Sequence, residues 1–431
     1  MKKRYFNSMK VVYKIFLSLV IFFAIGVHGQ DTLYYKAALN ISDNNTLPLS
    51  LKVCYEKDTV LYFLKSPMQS DVEMIPSKVK YIEDSLSLGF KNVAIVMHLK
   101  ESQDKSSFDG TFTQRLLRKN IHFERVKEEY RLLRPQTPLP PFDYNEKELS
   151  FKNEECEYLF HGTLTYPKQK GKYPLVVLVS GSGAQNRDSE IYGHKTFLVI
   201  ADYLTKNGIA VFRYDDRGWG EKSELAYKGT TLDFAKDTYS AVKVLKDLDM
   251  IDTNKIGICG HSEGGLIAQM LMAEKQDFAF AILMAAPAIS GKDILKTQNK
   301  EYYILKGWDK TKSEELDKNL KALDNMQFDT TKVNDYWLKY FYETEPKTYL
   351  KKIKRPILVL QGEADFQVVA RENIPYMKKY LKAKKSEIKV YPNLNHLFQH
   401  VNKDNPTDYS IINETISQQV LEDIVSFIKK L

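Results

Sequence analysis

Lys255-Ile256-Gly257-Ile258-Cys259-Gly260-His261-Ser262-Glu263-Gly264-Gly265-Leu266 is the stretch whose reading decides the fold. It begins as a short apolar strand, passes through Gly-x-Ser-x-Gly, and continues at once into helix formers as far as Ala273. In the order strand, tight turn, helix, that pattern presents the serine at the tip of a strained crossing. Residues two before and two after the serine crowd the crossing, and Gly260 and Gly264 have no Cβ to obstruct it. Ser262 is thereby raised from the sheet edge over the positive end of the following helix.

Outward from this turn, strands and helices alternate. The sequence predicts strands over 175–180, 209–214, 255–259 and 279–285, with helices over 196–206, 232–248 and 265–273. The strands are unbroken Val, Ile and Leu runs, as expected where helices cover both faces of a parallel sheet. Alternation stops near residue 290 and resumes with strands at 356–360 and 388–391 and a final amphipathic helix over 416–431. The interruption, residues 290–350, reads as a helical cap over the strand ends. Its aromatic cluster offers Trp337, Tyr340 and Phe341 as substrate-binding wall residues, with packing of the cap onto the sheet as the alternative.

A serine hydroxyl needs a base to take its proton, an acid to orient that base, and donors for the developing oxyanion. After Ser262 the chain has two histidines, His396 and His400. His396 follows a strand in the loop Pro392-Asn393-Leu394-Asn395, where a base belongs, and His400 stands one helical turn further on. Asp365 follows the preceding strand and is the candidate acid, with Glu363 as the fallback. The candidate oxyanion donors are the backbone N–H groups of Glu263 and of Ser182, the latter in Ser180-Gly181-Ser182-Gly183-Ala184-Gln185. His396 and His400 have the spacing of a zinc pair, but Leu397-Phe398-Gln399 between them lacks the expected Glu, so no metal is expected. No Gly-Lys-Ser/Thr accompanies the Gly-rich loop, and no cofactor is expected. Tyr214-Asp215-Asp216-Arg217-Gly218 precedes the serine and reads as a loop locked by Asp–Arg pairing.

Residues 1–29 read as a signal peptide. Lys2, Lys3, Arg4, Lys10 and Lys14 form a basic segment before the 13-residue apolar run Ile15–Val27. That run falls short of the ~20 residues of a membrane span. Export to the periplasm or exterior is the expectation, with an uncleaved membrane anchor as the alternative. The net charge is +8 overall and +3 without this segment, which argues against a nucleic-acid partner. Three cysteines, Cys54, Cys156 and Cys259, do not make a disulfide framework, although Cys54 and Cys156 could pair. Residues 30–133 alternate apolar and polar positions in short runs between turn-prone clusters and predict a small antiparallel β domain. No grouped Ser, His and acid marks chemistry there, and no pattern specifies its partner. Residues 134–149 contain four prolines between Arg134 and Pro141 and read as a stiff linker.

Residues 150–431 resemble the α/β-hydrolase superfamily, and within it the secreted or periplasmic bacterial serine hydrolases classed with the serine aminopeptidase-like proteins. The carrying stretches are 181–188, 193–197, Arg213-Tyr214-Asp215-Asp216-Arg217-Gly218, Gly260-His261-Ser262-Glu263-Gly264-Gly265 and 394–399. The β domain and the Arg-Pro-Gln-Thr-Pro segment resemble those of members from Bacteroidetes-like bacteria. Ala184 stands where the group suggests Pro, and Trp219 where it suggests Val. The resemblance implies a mostly parallel sheet with helices on both faces and a helical cap, acting on a small ester or peptide-like substrate. Three readings follow: a secreted esterase working through an acyl-enzyme, an aminopeptidase with the same triad, and a non-catalytic glycan- or surface-binding protein. The aminopeptidase needs an anion for the substrate amine, with Glu315, Glu343 and Glu345 as cap candidates.

Overall fold

Between Asp31 and Val126 apolar side chains recur at alternate positions in strands such as Ser85–Phe90 and Ile95–Glu101, so those strands bury one face only. The computed structural model describes residues 31–431 apart from 43–44, 58, 69, 131, 154, 157, 221–227, 306, 308 and 402–408. The proposed signal segment, residues 1–29, lies outside the described residues. The chain divides into two units, one ending at Leu133 and one beginning at Arg134.

The first unit is a nine-stranded antiparallel sheet among the described residues. Its strands are β1 (Asp31–Ser42), β2 (Asn45–Glu56), β3 (Thr59–Ser66), β4 (Ser70–Met74), β5 (Lys78–Ile82), β6 (Ser85–Phe90), β7 (Ile95–Glu101), β8 (Ser107–Gln114) and β9 (Leu117–Val126). They lie in the order β4-β3-β2-β1-β9-β8-β7-β6-β5. β7 shows the alternation plainly: Ile95, Met97, Leu99 and Glu101 are buried, while Val96, His98 and Lys100 are exposed. The inward side chains, among them Tyr35, Leu51, Leu88, Phe108 and Phe123, form one core. β5 is an edge strand exposed along its whole length.

The second unit does not begin with a free spacer. Gln136 accepts from the amides of Thr415 and Ile416 through Oε1 and donates to the carbonyl of Ile416 through Nε2. Arg134 donates to the carbonyls of Tyr192, Ser410 and Ile412. The supposed linker also ends earlier than expected, because β10 (Tyr144–Lys152) already belongs to the second sheet. Proline spacing describes local stiffness and carries no information about these long-range hydrogen bonds.

The remaining strands are β11 (Leu159–Pro167), β12 (Tyr173–Val179), a small hairpin β13 (Glu190–Ile191) and β14 (His194–Lys195), β15 (Ala210–Tyr214), β16 (Ile251–His261), β17 (Phe280–Met284), β18 (Ile357–Gly362) and β19 (Glu387–Tyr391). The main sheet runs β10-β11-β15-β12-β16-β17-β18-β19, antiparallel at β10/β11 and β11/β15 and parallel thereafter. The apolar runs are unbroken because both faces are covered. In β12, Leu175, Val177 and Val179 enter one core while Val176 and Leu178 enter the other. Helices α2 (Thr231–Leu245), α3 (Glu263–Glu274) and α8 (Ala370–Tyr380) contribute to the first core. Helices α1 (Thr196–Lys206) and α9 (Gln418–Lys429) contribute to the second. Between β17 and β18 lie α4 (Gly291–Leu305), α5 (Lys310–Asp324), α6 (Val333–Glu343) and α7 (Lys347–Leu350). Cys54, Cys156 and Cys259 are all free thiols.

Candidate active site

β16 ends at His261 and α3 begins at Glu263, so Ser262 alone makes the turn. Its backbone sits at φ 55° and ψ −118°, a conformation L-residues rarely adopt and one that needs surrounding structure to hold it. The Ser262 amide donates to the Met284 carbonyl at 2.8 Å and the Gly265 amide to the Ser262 carbonyl at 2.9 Å. A Cβ at position 260 would stand 2.0 Å from the Gly264 carbonyl oxygen, and one at 264 would stand 2.2 Å from the Val179 carbonyl oxygen. The crossing therefore admits only glycine at both positions.

Asp365 follows β18 and His396 follows β19, and the structure brings them together: His396 Nδ1 lies 2.8 Å from Asp365 Oδ2. An ionised carboxylate only accepts, so Nδ1 carries the hydrogen and Nε2 keeps a lone pair able to take a proton. Asp365 is 2% exposed, and its oxygens are fully engaged. Oδ1 accepts from the amides of Gln367 (2.8 Å) and Val368 (2.9 Å), and Oδ2 also accepts from Gln361 Nε2 at 3.1 Å. Asn395 Oδ1 accepts from the amides of Leu397 and Gln399, which fixes the loop around His396.

His396 is tied to the serine turn through His261. The His396 carbonyl accepts from His261 Nε2 at 2.8 Å, and the two rings lie 4.7 Å apart between centroids. Burial first, then the neighbouring His396, holds His261 down at about 3, so its ring stays neutral as a fixed donor. Glu363 is exposed, and His400 is exposed and paired with Glu414 at 2.8 Å. Neither joins the cluster.

Loop 180–185 lies directly against the serine, since a Cβ at Gly181 would approach Ser262 Cβ to 3.2 Å. Asp216 holds both ends of this loop. Its Oδ2 accepts from Ser180 Oγ (2.5 Å) and from the Gln185 amide (2.9 Å), and its own amide donates to the Gln185 carbonyl (3.0 Å). The Asp–Arg pairing expected within 215–217 takes another form. Asp215 pairs with Arg187 at 2.6 Å, and Arg217 grips Asp237 through two bonds of 2.7 and 2.9 Å. The partners come from other elements, which adjacency in sequence does not reveal.

Glu263 is 2% exposed. Its Oε1 accepts from Thr231 Oγ1 (2.6 Å), at the start of α2, and from Trp337 Nε1 (2.8 Å), on cap helix α6. The Ser182 side chain also acts on this carboxyl, although Oε2 has no partner at normal hydrogen-bond geometry among the described residues. Burial pushes this carboxyl's pKa up against those donors. Trp337 also stacks on Phe341 at 5.4 Å; Phe341 is itself 6% exposed within the core. Tyr340 is half-buried against that core. Glu315, Glu343 and Glu345 are exposed, and Glu345 pairs with Lys347 at 3.1 Å. Sequence reasoning took only the backbone of Glu263 into account and missed the side-chain parts of Glu263, Asp216 and Gln361. Nothing near Glu263 and Asp216 in sequence signals their distant partners, and Gln361 reaches only nearby groups in the turn that carries Asp365.

A sheet in this strand order, with the strained serine after β16, is the α/β-hydrolase fold, and the protein is a serine hydrolase. Its resemblance to the serine aminopeptidase-like group is shown by residues 193–400, which match the family model described as "Serine aminopeptidase, S33". Esterase EstD of Thermotoga maritima is 26% identical over 71% of this chain and 72% of its own length. Dipeptidyl-peptidase 5 of Porphyromonas gingivalis is 26% identical over 52% of this chain, and the match spans 30% of that protein. Among solved structures, Est1E from Butyrivibrio proteoclasticus aligns with TM-score 0.44 and 18% identity over 66% of this chain and 98% of its own.

Proposed function

We propose that the protein cleaves carboxylic esters by a covalent acyl-enzyme route. Ser262 Oγ attacks the ester carbonyl carbon while His396 Nε2 takes its proton. The carbonyl oxygen becomes an oxyanion held by the amides of Ser182 and Glu263. The C–O bond to the alcohol then breaks, and His396 returns the proton to the leaving oxygen. In the second half His396 takes a proton from water, the resulting hydroxide attacks the acyl carbon, and Ser262 Oγ leaves with the proton. Asp365 keeps the His396 ring oriented and offsets its charge. The observation that carries this reading is the 2.8 Å His396–Asp365 contact, tied through His261 to the strained Ser262.

EstD supports esters, since its match covers most of both chains, whereas the dipeptidyl-peptidase match covers a minor part of that enzyme. A second reading, cleavage of aminoacyl amides, is favoured by the family description. Export directed by residues 1–29 is part of the proposal. The test is a fluorophosphonate label on the mature protein, followed by a panel of esters, thioesters and aminoacyl amides with Ser262→Ala as the blank. A label on Ser262 and ester turnover absent from the blank are expected. A label on another serine overturns the reading, and aminoacyl amide turnover exceeding ester turnover transfers it to the peptidase.

A further inference from the structure

The carboxyl of Asp216 is distinctive for where its bonds go. Its two sequence neighbours spend their charge on ion pairs, Asp215 with Arg187 and Arg217 with Asp237. Asp216 has no cation partner among the described residues. A single oxygen, Oδ2, instead receives Ser180 Oγ and the Gln185 amide, while the Asp216 amide holds the Gln185 carbonyl. Gln185 is held a second time, because its Oε1 accepts from Ser189 Oγ at 2.8 Å. Residues 180 and 185 are the two ends of the loop that carries Ser182 and presses on Ser262 through Gly181.

We infer that Asp216 is a positioning residue for the oxyanion hole, fixing the Ser182 amide relative to Ser262 by clamping both ends of loop 180–185. The inference rests on the reading of Ser262 as nucleophile and the Ser182 amide as donor. The physical reason is the steep dependence of oxyanion stabilisation on placement. A donor contributes only where it meets the charge that develops in the transition state. A misplacement of ~1 Å can cost ~10²-fold in rate. Two glycines in the loop, Gly181 and Gly183, leave it little stiffness of its own, so its geometry comes from what grips its ends. The surroundings push the Asp216 carboxyl up to about 8, chiefly by desolvation, so Asn is a close mimic of the form present at neutral pH. Asn also keeps an acceptor oxygen for both loop donors.

The experiment compares Asp216→Ala, Asp216→Asn and Ser180→Ala with wild type. It reads kcat and KM on a short p-nitrophenyl ester, inhibition by an arylboronic acid whose tetrahedral adduct places an oxygen in the hole, and melting temperature. For Asp216→Ala a fall in kcat of about 10- to 10²-fold is expected. KM should stay within about threefold of wild type, and boronate affinity should fall by about the same factor as kcat, because both report the tetrahedral state. Asp216→Asn should recover most of that loss. The inference is overturned if folded Asp216→Ala keeps kcat and boronate affinity within about twofold of wild type. It is equally overturned if Ala and Asn are impaired alike, with KM and melting temperature moving together, as for a residue that only packs. If Asp216→Ala does not fold, Ser180→Ala decides: a matched fall in kcat and boronate affinity at constant KM supports the clamp, and no change rejects it. Fluorophosphonate labelling separates the two levels. A wild type unlabelled at Ser262 removes the parent reading and this one, whereas a labelled wild type with an indifferent Asp216→Ala removes this one alone.

Discussion

Trp337, on cap helix α6, donates its indole N–H to Glu263 Oε1 at 2.8 Å, and Glu263 is the residue that directly follows Ser262. The cap is thus hydrogen-bonded to the serine turn itself, across 74 residues of sequence. Trp337→Phe keeps an aromatic ring to stack on Phe341 but removes the indole N–H along with part of the ring system. The buried carboxyl then loses one of its two Oε1 donors, which costs about 1–3 kcal/mol. A lower melting temperature is expected, with kcat/KM reduced by a similar factor for short and bulky esters. A change in the ranking of esters, with melting unchanged, would instead make Trp337 a wall of the substrate pocket.

The candidate triad is tested most sharply at Asp365. Four donors converge on its two oxygens, so Asp365→Asn must turn an NH₂ toward either the two amides or the His396 Nδ1–H. The first choice opposes donor to donor in the loop that holds the side chain, and the second does so at His396 and disfavours the tautomer with a free Nε2. A fall in kcat of ~10⁴-fold is expected, comparable in kind to the losses of Ser262→Ala and His396→Ala, with KM little changed. Steady-state kinetics on one chromogenic ester check all three. A loss below ~10-fold in Asp365→Asn would remove Asp365 as the orienting acid.

Much of this architecture was legible because it is written locally. Parallel strands such as β12 and β17 are continuous apolar runs, the sequence expects α1 over the same 11 residues it occupies, and the crowding at Gly260 and Gly264 follows from the turn alone. What was not legible depends on partners far apart in sequence. The Asp215-Asp216-Arg217 cluster suggests mutual pairing, yet its charges answer Arg187 and Asp237. Helix α8 carries Pro375 inside it, which removes one amide from its ladder. The start of β10 was hidden by the adjoining prolines, since its pairing with β11 is a property of the sheet and not of residues 144–149.

The serine turn makes a stability prediction with an internal control. Gly264→Ala would put a Cβ 2.2 Å from the Val179 carbonyl oxygen, where backbone on both sides cannot yield. Gly307 has open space around it and φ 73°. Gly307→Ala should cost only the backbone term, about 1 kcal/mol. Gly264→Ala should cost several times as much and abolish fluorophosphonate labelling. Thermal melts of the two variants check the contrast, and near-equal costs would refute the crowding.

His194 should set part of the acid limit of stability. It is fully buried, with Nε2 donating to the Tyr409 carbonyl at 3.0 Å and Nδ1 3.1 Å from Thr415 Oγ1. Burial first, then the positive Arg134, holds its pKa down at about 4, against an ordinary value of 6.5. The sign follows from proton counts. Between pH 6.5 and 4 the unfolded chain takes a proton that folded His194 refuses, so stability is lost as pH falls through that window. The full difference of 6.5 to about 4 corresponds to roughly 3 kcal/mol at the acid end. Denaturant melts at about pH 7 and about pH 4.5 should show this loss in wild type and a shallower one in His194→Gln, which keeps an amide donor for Tyr409 and cannot titrate. Equal pH slopes in the two proteins would show that His194 takes up its proton in the folded state.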